Sequence, residues 1–142
     1  MTLNEAKAYI DRAVDLGLSG AEFVAILGDE NVAKAYNGIG PEWLDPKVRE
    51  KLDKWLDLYA ICAVIHDCRF VFANDGEDAK FRAANDELER NAIIVADDRY
   101  SWWNPLRYLA RRGGRKLADA CRDFGWSAWR DAYEKNKKGN QK

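Results

Sequence analysis

Hydrophobic residues recur at steps of three and four along most of the chain, which is the spacing of amphipathic helices. The first such segment runs to about Leu16 and ends at Gly17. A second segment begins at Ser19; its end near Gly28 is ambiguous, and a helical pattern resumes from Asn31 to Tyr36. Alternation of apolar and polar residues is nowhere long enough to favour a β-strand. The pattern therefore predicts an all-α protein.

The longest predicted helix follows a stretch rich in glycine and proline, residues 37–46. It runs from about Lys47 to Phe72, with Pro46 suited to its first turn and Asp45 suited to its N-cap. Its first half is amphipathic, whereas its second half is apolar nearly all round. We expect that second half to be the buried centre of the fold.

The short connection after Phe72 predicts that the next helix, from Glu77 to about residue 95 or 98, returns antiparallel to it. A basic helix follows to about Phe124, and a last short helix follows Gly125. We expect residues 1–134 to form one domain and the polar, lysine-rich residues 135–142 to form a disordered tail. One face of the returning helix carries, at steps of three and four, Asp78, Phe81, Asn85, Leu88 and Ala92.

Composition narrows the class of protein. The 142 residues are 47% hydrophobic, which is enough for a core that needs no disulfides. The formal net charge is −1, so no nucleic-acid partner is expected, although the basic helix from Arg107 to Arg122 keeps that alternative open. Three cysteines and a polar N-terminus without a signal sequence favour reduced thiols and a cytoplasmic location. The longest apolar run, from Leu58 to Ile65, is too short to span a bilayer.

The chain has one histidine, His66, which precedes Asp67 at the end of the longest apolar run. Ionisable groups in such a setting need a partner. In one interpretation, the desolvated imidazole is neutral and acts as a base in a small catalytic or metal site. In the other, His66 is a core histidine that bonds a backbone carbonyl or Asn85. Cys62 lies one turn away, but apolar surroundings raise the pKa of a thiol and make it inert.

A glycine-rich loop, a helix with a His-Asp pair and an antiparallel helix with polar side chains follow one another in this sequence. The loop is Asn37-Gly38-Ile39-Gly40-Pro41, the first helix carries Cys62-x-x-x-His66-Asp67, and the second carries Asp78 and Asn85. This combination resembles the phospholipase A2 superfamily, especially the compact A2-like proteins of bacteria and their phages, over about residues 36–95. The resemblance implies an A2-like antiparallel helix pair with additional N- and C-terminal helices. It also implies Ca²⁺-dependent hydrolysis of phospholipid acyl esters.

The resemblance gives each candidate residue a role. The carbonyls of Gly38 and Gly40 and the carboxylate of Asp67 would bind Ca²⁺, and His66 would deprotonate a water molecule. Asp45 is a further candidate ligand of Ca²⁺, with the N-cap as its alternative role. The residue that orients the imidazole would be Asn85 or Asp78. Asp86 is the third candidate, because it faces away from the side of the helix that carries the other two. Asparagine accepts a hydrogen bond from an imidazole but does not stabilise an imidazolium by charge.

The implied partner is a phospholipid or membrane surface. The stretch Tyr100-Ser101-Trp102-Trp103, followed by four arginines, suits an anionic lipid interface, or else consists of core aromatics beside a solvated face. The alternative function is a non-catalytic structural or binding protein of a phage or prophage that keeps the A2-like fold, and association with the virion is its alternative location. The four arginines that follow the aromatic stretch are Arg107, Arg111, Arg112 and Arg115.

Overall fold

The computed structural model describes residues 1–36, 46–47 and 56–140. Seven helices span these residues, which contain no strand, so the all-α prediction is confirmed there. The A2-like arrangement of the helices stays a prediction. The candidate site residues Gly38, Gly40 and Asp45 lie outside the described residues. Residues 48–55, which belong to the first half of the predicted central helix, lie outside them as well. The helices are α1 (Leu3–Leu16), α2 (Ala21–Leu27), α3 (Asp29–Ala35), α4 (Leu56–Phe72), α5 (Asp78–Arg99), α6 (Pro105–Phe124) and α7 (Trp126–Asn140).

The helix ends follow from local chemistry. The Thr2 hydroxyl accepts a hydrogen bond from the Glu5 backbone N–H at 3.1 Å, and the Glu5 carboxylate accepts one from the Thr2 N–H at 3.2 Å. This capping box starts α1, and Gly17 ends it with a left-handed φ of 66°. Asn104 caps α6 through its side chain, and Pro105 occupies the first turn.

The second half of the predicted central helix is buried as far as Ile65, whereas most residues from His66 to Phe72 are partly exposed. Every residue of α4 from Tyr59 to Ile65 is buried. The Tyr59 hydroxyl donates a hydrogen bond to the Ala110 carbonyl of α6, which ties these two helices together. Gly114 of α6 lies so close to α5 that an added Cβ would come within 2.5 Å of the Ala92 Cβ. The centre of the fold is therefore a close-packed layer of α4, α5 and α6.

Two groups of ion pairs fix α6 along α5. Near one end, Asp97 accepts hydrogen bonds from Arg111 at 2.5 and 2.6 Å and from Arg107 at 2.8 Å. The bond from Arg111, reinforced by Arg107, lowers the pKa of Asp97 to about 2. Near the other end, Arg122 pairs with Asp86 at 2.8 Å and with Glu89 at 3.2 Å. The two helices are thus clamped at both ends of their contact.

The last helix is longer than the sequence suggests. A disordered tail is expected from residue 135, whereas α7 continues to Asn140. The Asn136 side chain donates a hydrogen bond to the Val71 carbonyl of α4 at 2.7 Å, so the polar segment has a partner in the fold. Arg130 of α7 likewise donates to the Gly76 carbonyl at 2.8 Å. Across the described ranges, no helix is long and apolar enough to cross a bilayer.

Candidate functional site

His66 and Asn85 meet across the contact between α4 and α5. The imidazole Nε2 lies 2.8 Å from the Asn85 side-chain oxygen, and Asn85 is fully buried. With the amide oxygen facing the ring, Nε2 carries the proton and donates it, so Nδ1 keeps a free lone pair. Asn85 follows Phe81 and precedes Leu88 on one buried face of α5, which is the stripe that the sequence predicts. The fold therefore brings these two candidate site residues together.

An aromatic cluster surrounds the imidazole on the side of α7. The ring centroids of His66 and Phe70 are 4.6 Å apart, and Phe70 packs edge-on against the fully buried Trp129 at 4.9 Å. Burial lowers the pKa of His66 from its usual value, although the hydrogen bond to Asn85 and the negative charge of Glu87 oppose this shift. Burial therefore favours the neutral imidazole, which is the form that accepts a proton.

Two hydrogen-bond donors in this region have no acceptor. They are the Asn85 side-chain amide nitrogen and the Trp129 indole nitrogen, both buried and unpaired within the described part of the chain. Both side chains belong to the surroundings of His66, because Asn85 bonds its ring and Trp129 packs on Phe70. Buried donors without acceptors cost free energy, so an oxygen atom that reached them would be stabilised.

The other two acidic candidates on α5 are engaged elsewhere. Asp78 is exposed and pairs with Arg82 one turn along the same helix at 2.5 Å. Asp86 pairs with Arg122 of α6. Of the three residues that the sequence offers as partners of His66, Asn85 is thus the one in contact with it. Asp78 lies on the same side of α5 by spacing, but at a helix end where its carboxylate reaches solvent and Arg82.

Asp67, the predicted metal ligand, lies on α4 and is partly buried. Burial raises the pKa of Tyr36 to about 12, and the neighbouring Tyr9 and Asp67 add to the rise. Tyr36 immediately precedes residues 37–45, which include Gly38, Gly40 and Asp45. Among the described residues, no three His, Cys, Asp or Glu side chains are grouped to hold a metal. Within the described part of the chain, Asp67 is the candidate oxygen ligand of Ca²⁺. The complete set of Ca²⁺ ligands stays a prediction.

A buried polar network lies next to the His66–Asn85 contact and was not foreseen from the sequence. The Glu87 carboxylate accepts hydrogen bonds from Arg69 at 3.0 and 3.1 Å and from the Ser19 hydroxyl at 2.8 Å. Asn91 exchanges two hydrogen bonds with the Ser19 backbone, at 2.8 and 2.9 Å. The one signal in the sequence is the step of four between Glu87 and Asn91, which puts both on one side of α5. The network ties the turn before α2 to both α4 and α5.

The cysteines are unsuited to nucleophilic chemistry. Cys62, Cys68 and Cys121 are all free and buried. Burial raises the pKa of Cys62 far above its usual value, and it raises those of Cys68 and Cys121 to about 12, with the Asp67 charge contributing to both. A thiol with so high a pKa carries almost no thiolate at neutral pH, so these side chains act as small core residues.

Comparison with known proteins adds no further assignment. No protein-family model, curated protein or solved structure matches this chain. The resemblance to the phospholipase A2 superfamily therefore rests on the loop and the two helices quoted above.

Proposed function

We propose that this protein is a Ca²⁺-dependent hydrolase of phospholipid acyl esters with His66 as its general base. The observation that carries the proposal is the contact between His66 Nε2 and the Asn85 side-chain oxygen. A hydrogen bond to this oxygen would hold the ring in place and favour the Nε2–H tautomer of a neutral imidazole, which are the two requirements for a histidine base.

The reaction would proceed through His66 Nδ1. This nitrogen removes a proton from a water molecule, whose oxygen attacks the ester carbonyl carbon, and the imidazolium then returns the proton to the leaving alcohol oxygen. The products are a fatty acid and a lysophospholipid. Asp67, Asp45 and the carbonyls of Gly38 and Gly40 would hold Ca²⁺, which when bound would supply a Lewis acid for the ester carbonyl.

The uncharged side chain of Asn85 affects the expected rate of hydrolysis. Its side chain orients the imidazole but carries no charge to stabilise the imidazolium that forms in the reaction. Glu87 contributes negative charge nearby, but its carboxylate is shared with Arg69 and Ser19. We therefore expect slower hydrolysis than an aspartate at position 85 would support.

A second candidate function follows from the same uncharged partner. Asp78 and Asp86 pair with arginines, and His66 packs between Asn85 and Phe70. This arrangement also suits a structural or binding protein, such as the phage or prophage component considered above, in which the His66–Asn85 pair only holds two helices in register.

Release of fatty acid from phospholipid vesicles separates the two functions. We expect release by the full chain with Ca²⁺, and loss of release with a chelator or in His66→Gln. Asp67→Asn should abolish the effect of Ca²⁺, whereas Asp57→Asn, an exposed carboxylate on the same helix, is the matched control and should retain activity. If the full chain releases no more fatty acid than His66→Gln, the hydrolase proposal is wrong. An absence of any Ca²⁺ effect on the melting temperature would then favour the structural role.

A further inference from the structure

The corner between α5 and α6 exposes a cluster of large apolar side chains. Trp102 and Trp103 are 74% and 68% exposed, and Tyr108 and Leu109 on the first turns of α6 are 57% and 50% exposed. The Tyr108 hydroxyl donates a hydrogen bond to the Trp102 carbonyl at 3.3 Å, which places the helix face next to the turn. We call these four residues the corner patch. A surface of this kind on a folded chain marks a place of interaction.

Three cations follow the corner patch on the same face of α6. Arg112, Arg115 and Lys116 are exposed and lie at steps of three and four from Tyr108 and Leu109. Among the described residues none of the three has an ion-pair partner, in contrast to Arg107 and Arg111, which both bind Asp97. We call these three residues the basic belt. It begins about 5 Å and ends about 10 Å along the helix axis from Leu109.

We propose that the corner patch inserts into the surface of an anionic phospholipid bilayer, with the basic belt at the level of the phosphate groups. Tryptophan and tyrosine favour the boundary between headgroups and acyl chains, where their rings are apolar and their polar atoms stay hydrated. Interfacial elements bury their apolar side chains about 5–10 Å deep, which matches the offset between the corner patch and the basic belt. Unpaired arginine and lysine at that depth attract anionic lipids.

The order of charges along α6 favours a bilayer over a nucleic acid. Beyond the basic belt, the same face carries Asp119 and Asp123, both exposed. A nucleic acid strand that followed this face would meet these carboxylates, whereas a bilayer approached by the corner meets the corner patch first and the basic belt next. The corner lies about 21 Å along α5 from Asn85, so this surface is separate from His66. Docking through the corner patch consequently does not depend on hydrolysis at His66.

Binding to vesicles of ether-linked phospholipids in the presence of a chelator tests the docking surface without any hydrolysis. We expect the full chain to sediment with vesicles of phosphatidylcholine and phosphatidylglycerol, weakly with phosphatidylcholine alone, and less in about 0.5 M salt. The double variant Trp102→Ala/Trp103→Ala should lower the partition coefficient about tenfold or more, and Arg112→Glu/Lys116→Glu should do the same. Because all four side chains are exposed, circular dichroism should show unchanged folding.

Two variants serve as matched controls. Ile26→Ala removes an apolar side chain that is 85% exposed on α2, and Lys80→Glu reverses an exposed charge at the far end of α5. Both should bind vesicles like the unmodified chain. The proposal is wrong if the full chain ignores anionic vesicles, or if the tryptophan variant binds as well as the controls. The proposal would also be overturned if this face bound single-stranded DNA instead of vesicles. The same holds if the unmodified chain were a dimer and the tryptophan variant a monomer, because the face would then have another partner.

Discussion

The Glu87–Arg69 ion pair predicts a large loss of stability from a single substitution. In Glu87→Leu, a side chain of similar size replaces a carboxylate that is 8% exposed and accepts three hydrogen bonds. Arg69 would lose its charged partner and the Ser19 hydroxyl would lose its acceptor. The network that joins α4, α5 and the turn before α2 would open next to His66.

The magnitude follows from burial. Removing one member of a buried ion pair costs about 3–5 kcal/mol, because the other charge stays desolvated. Arg69 is 29% exposed and stacks on Phe23 at 4.2 Å, so its guanidinium regains part of its hydration. We therefore expect Glu87→Leu to lower the free energy of unfolding by about 3 kcal/mol, at the lower end of that range.

Asp78→Ala is the matched control. The Asp78–Arg82 pair is shorter than the Glu87–Arg69 pair, at 2.5 Å against 3.0 Å, but its side chains are 55% and 74% exposed. Its removal should cost less than about 0.5 kcal/mol. Urea unfolding followed by far-ultraviolet circular dichroism measures both. Equal losses in the two variants, or a loss below about 1 kcal/mol in Glu87→Leu, would refute the reasoning from burial.

Three further predictions concern His66 and the contact between α5 and α6. Asn85→Asp should raise the pKa of His66 by about 1–3 units, as followed by NMR titration, because a carboxylate would replace a neutral oxygen 2.8 Å from the ring. Gly114→Ala should destabilise the protein by about 1–3 kcal/mol in urea, because its Cβ would overlap Ala92, whereas Gly139→Ala, with nothing within 4 Å, should not. Because burial lowers the pKa of His66, the unfolded chain binds a proton at this residue more readily than the folded chain does. The free energy of unfolding should therefore be unaffected by His66 above about pH 6.5 and should decrease at lower pH, by at most about 1.4 kcal/mol per pH unit. His66→Gln should reduce that dependence, and an unchanged pH profile would contradict it.

Helix periodicity and end signals predict much of the described fold. Gly17 ends α1 and Gly125 separates α6 from α7, as the sequence indicates, whereas α3 begins at Asp29 rather than at the expected Asn31. The apolar run before His66 is buried, as its composition implies. These features depend on residues close together in the chain, which is why pattern alone reveals them.

Contacts between distant residues are where the sequence is insufficient. The spacing on α5 puts Asp78 and Asn85 on one side, but it does not show that Asn85 reaches His66 while Asp78 binds Arg82. The bond from Asn136 to Val71, which anchors a segment that resembles a tail, depends on tertiary structure in the same way. So does the role of Ser19 as a partner of Glu87. Polar residues in such positions look solvated until the fold supplies their partners.

NMR of the one histidine tests the central claim most directly. Every step of the proposed hydrolysis depends on a neutral His66 that donates from Nε2 to Asn85 and keeps Nδ1 unprotonated. Because the chain has a single histidine, nitrogen shifts of a ¹⁵N-labelled sample report its tautomer and its pKa without ambiguity. We predict the Nε2–H tautomer and a pKa below the usual 6.5. An Nδ1–H tautomer, or a pKa at or above 6.5, would contradict the proposed base.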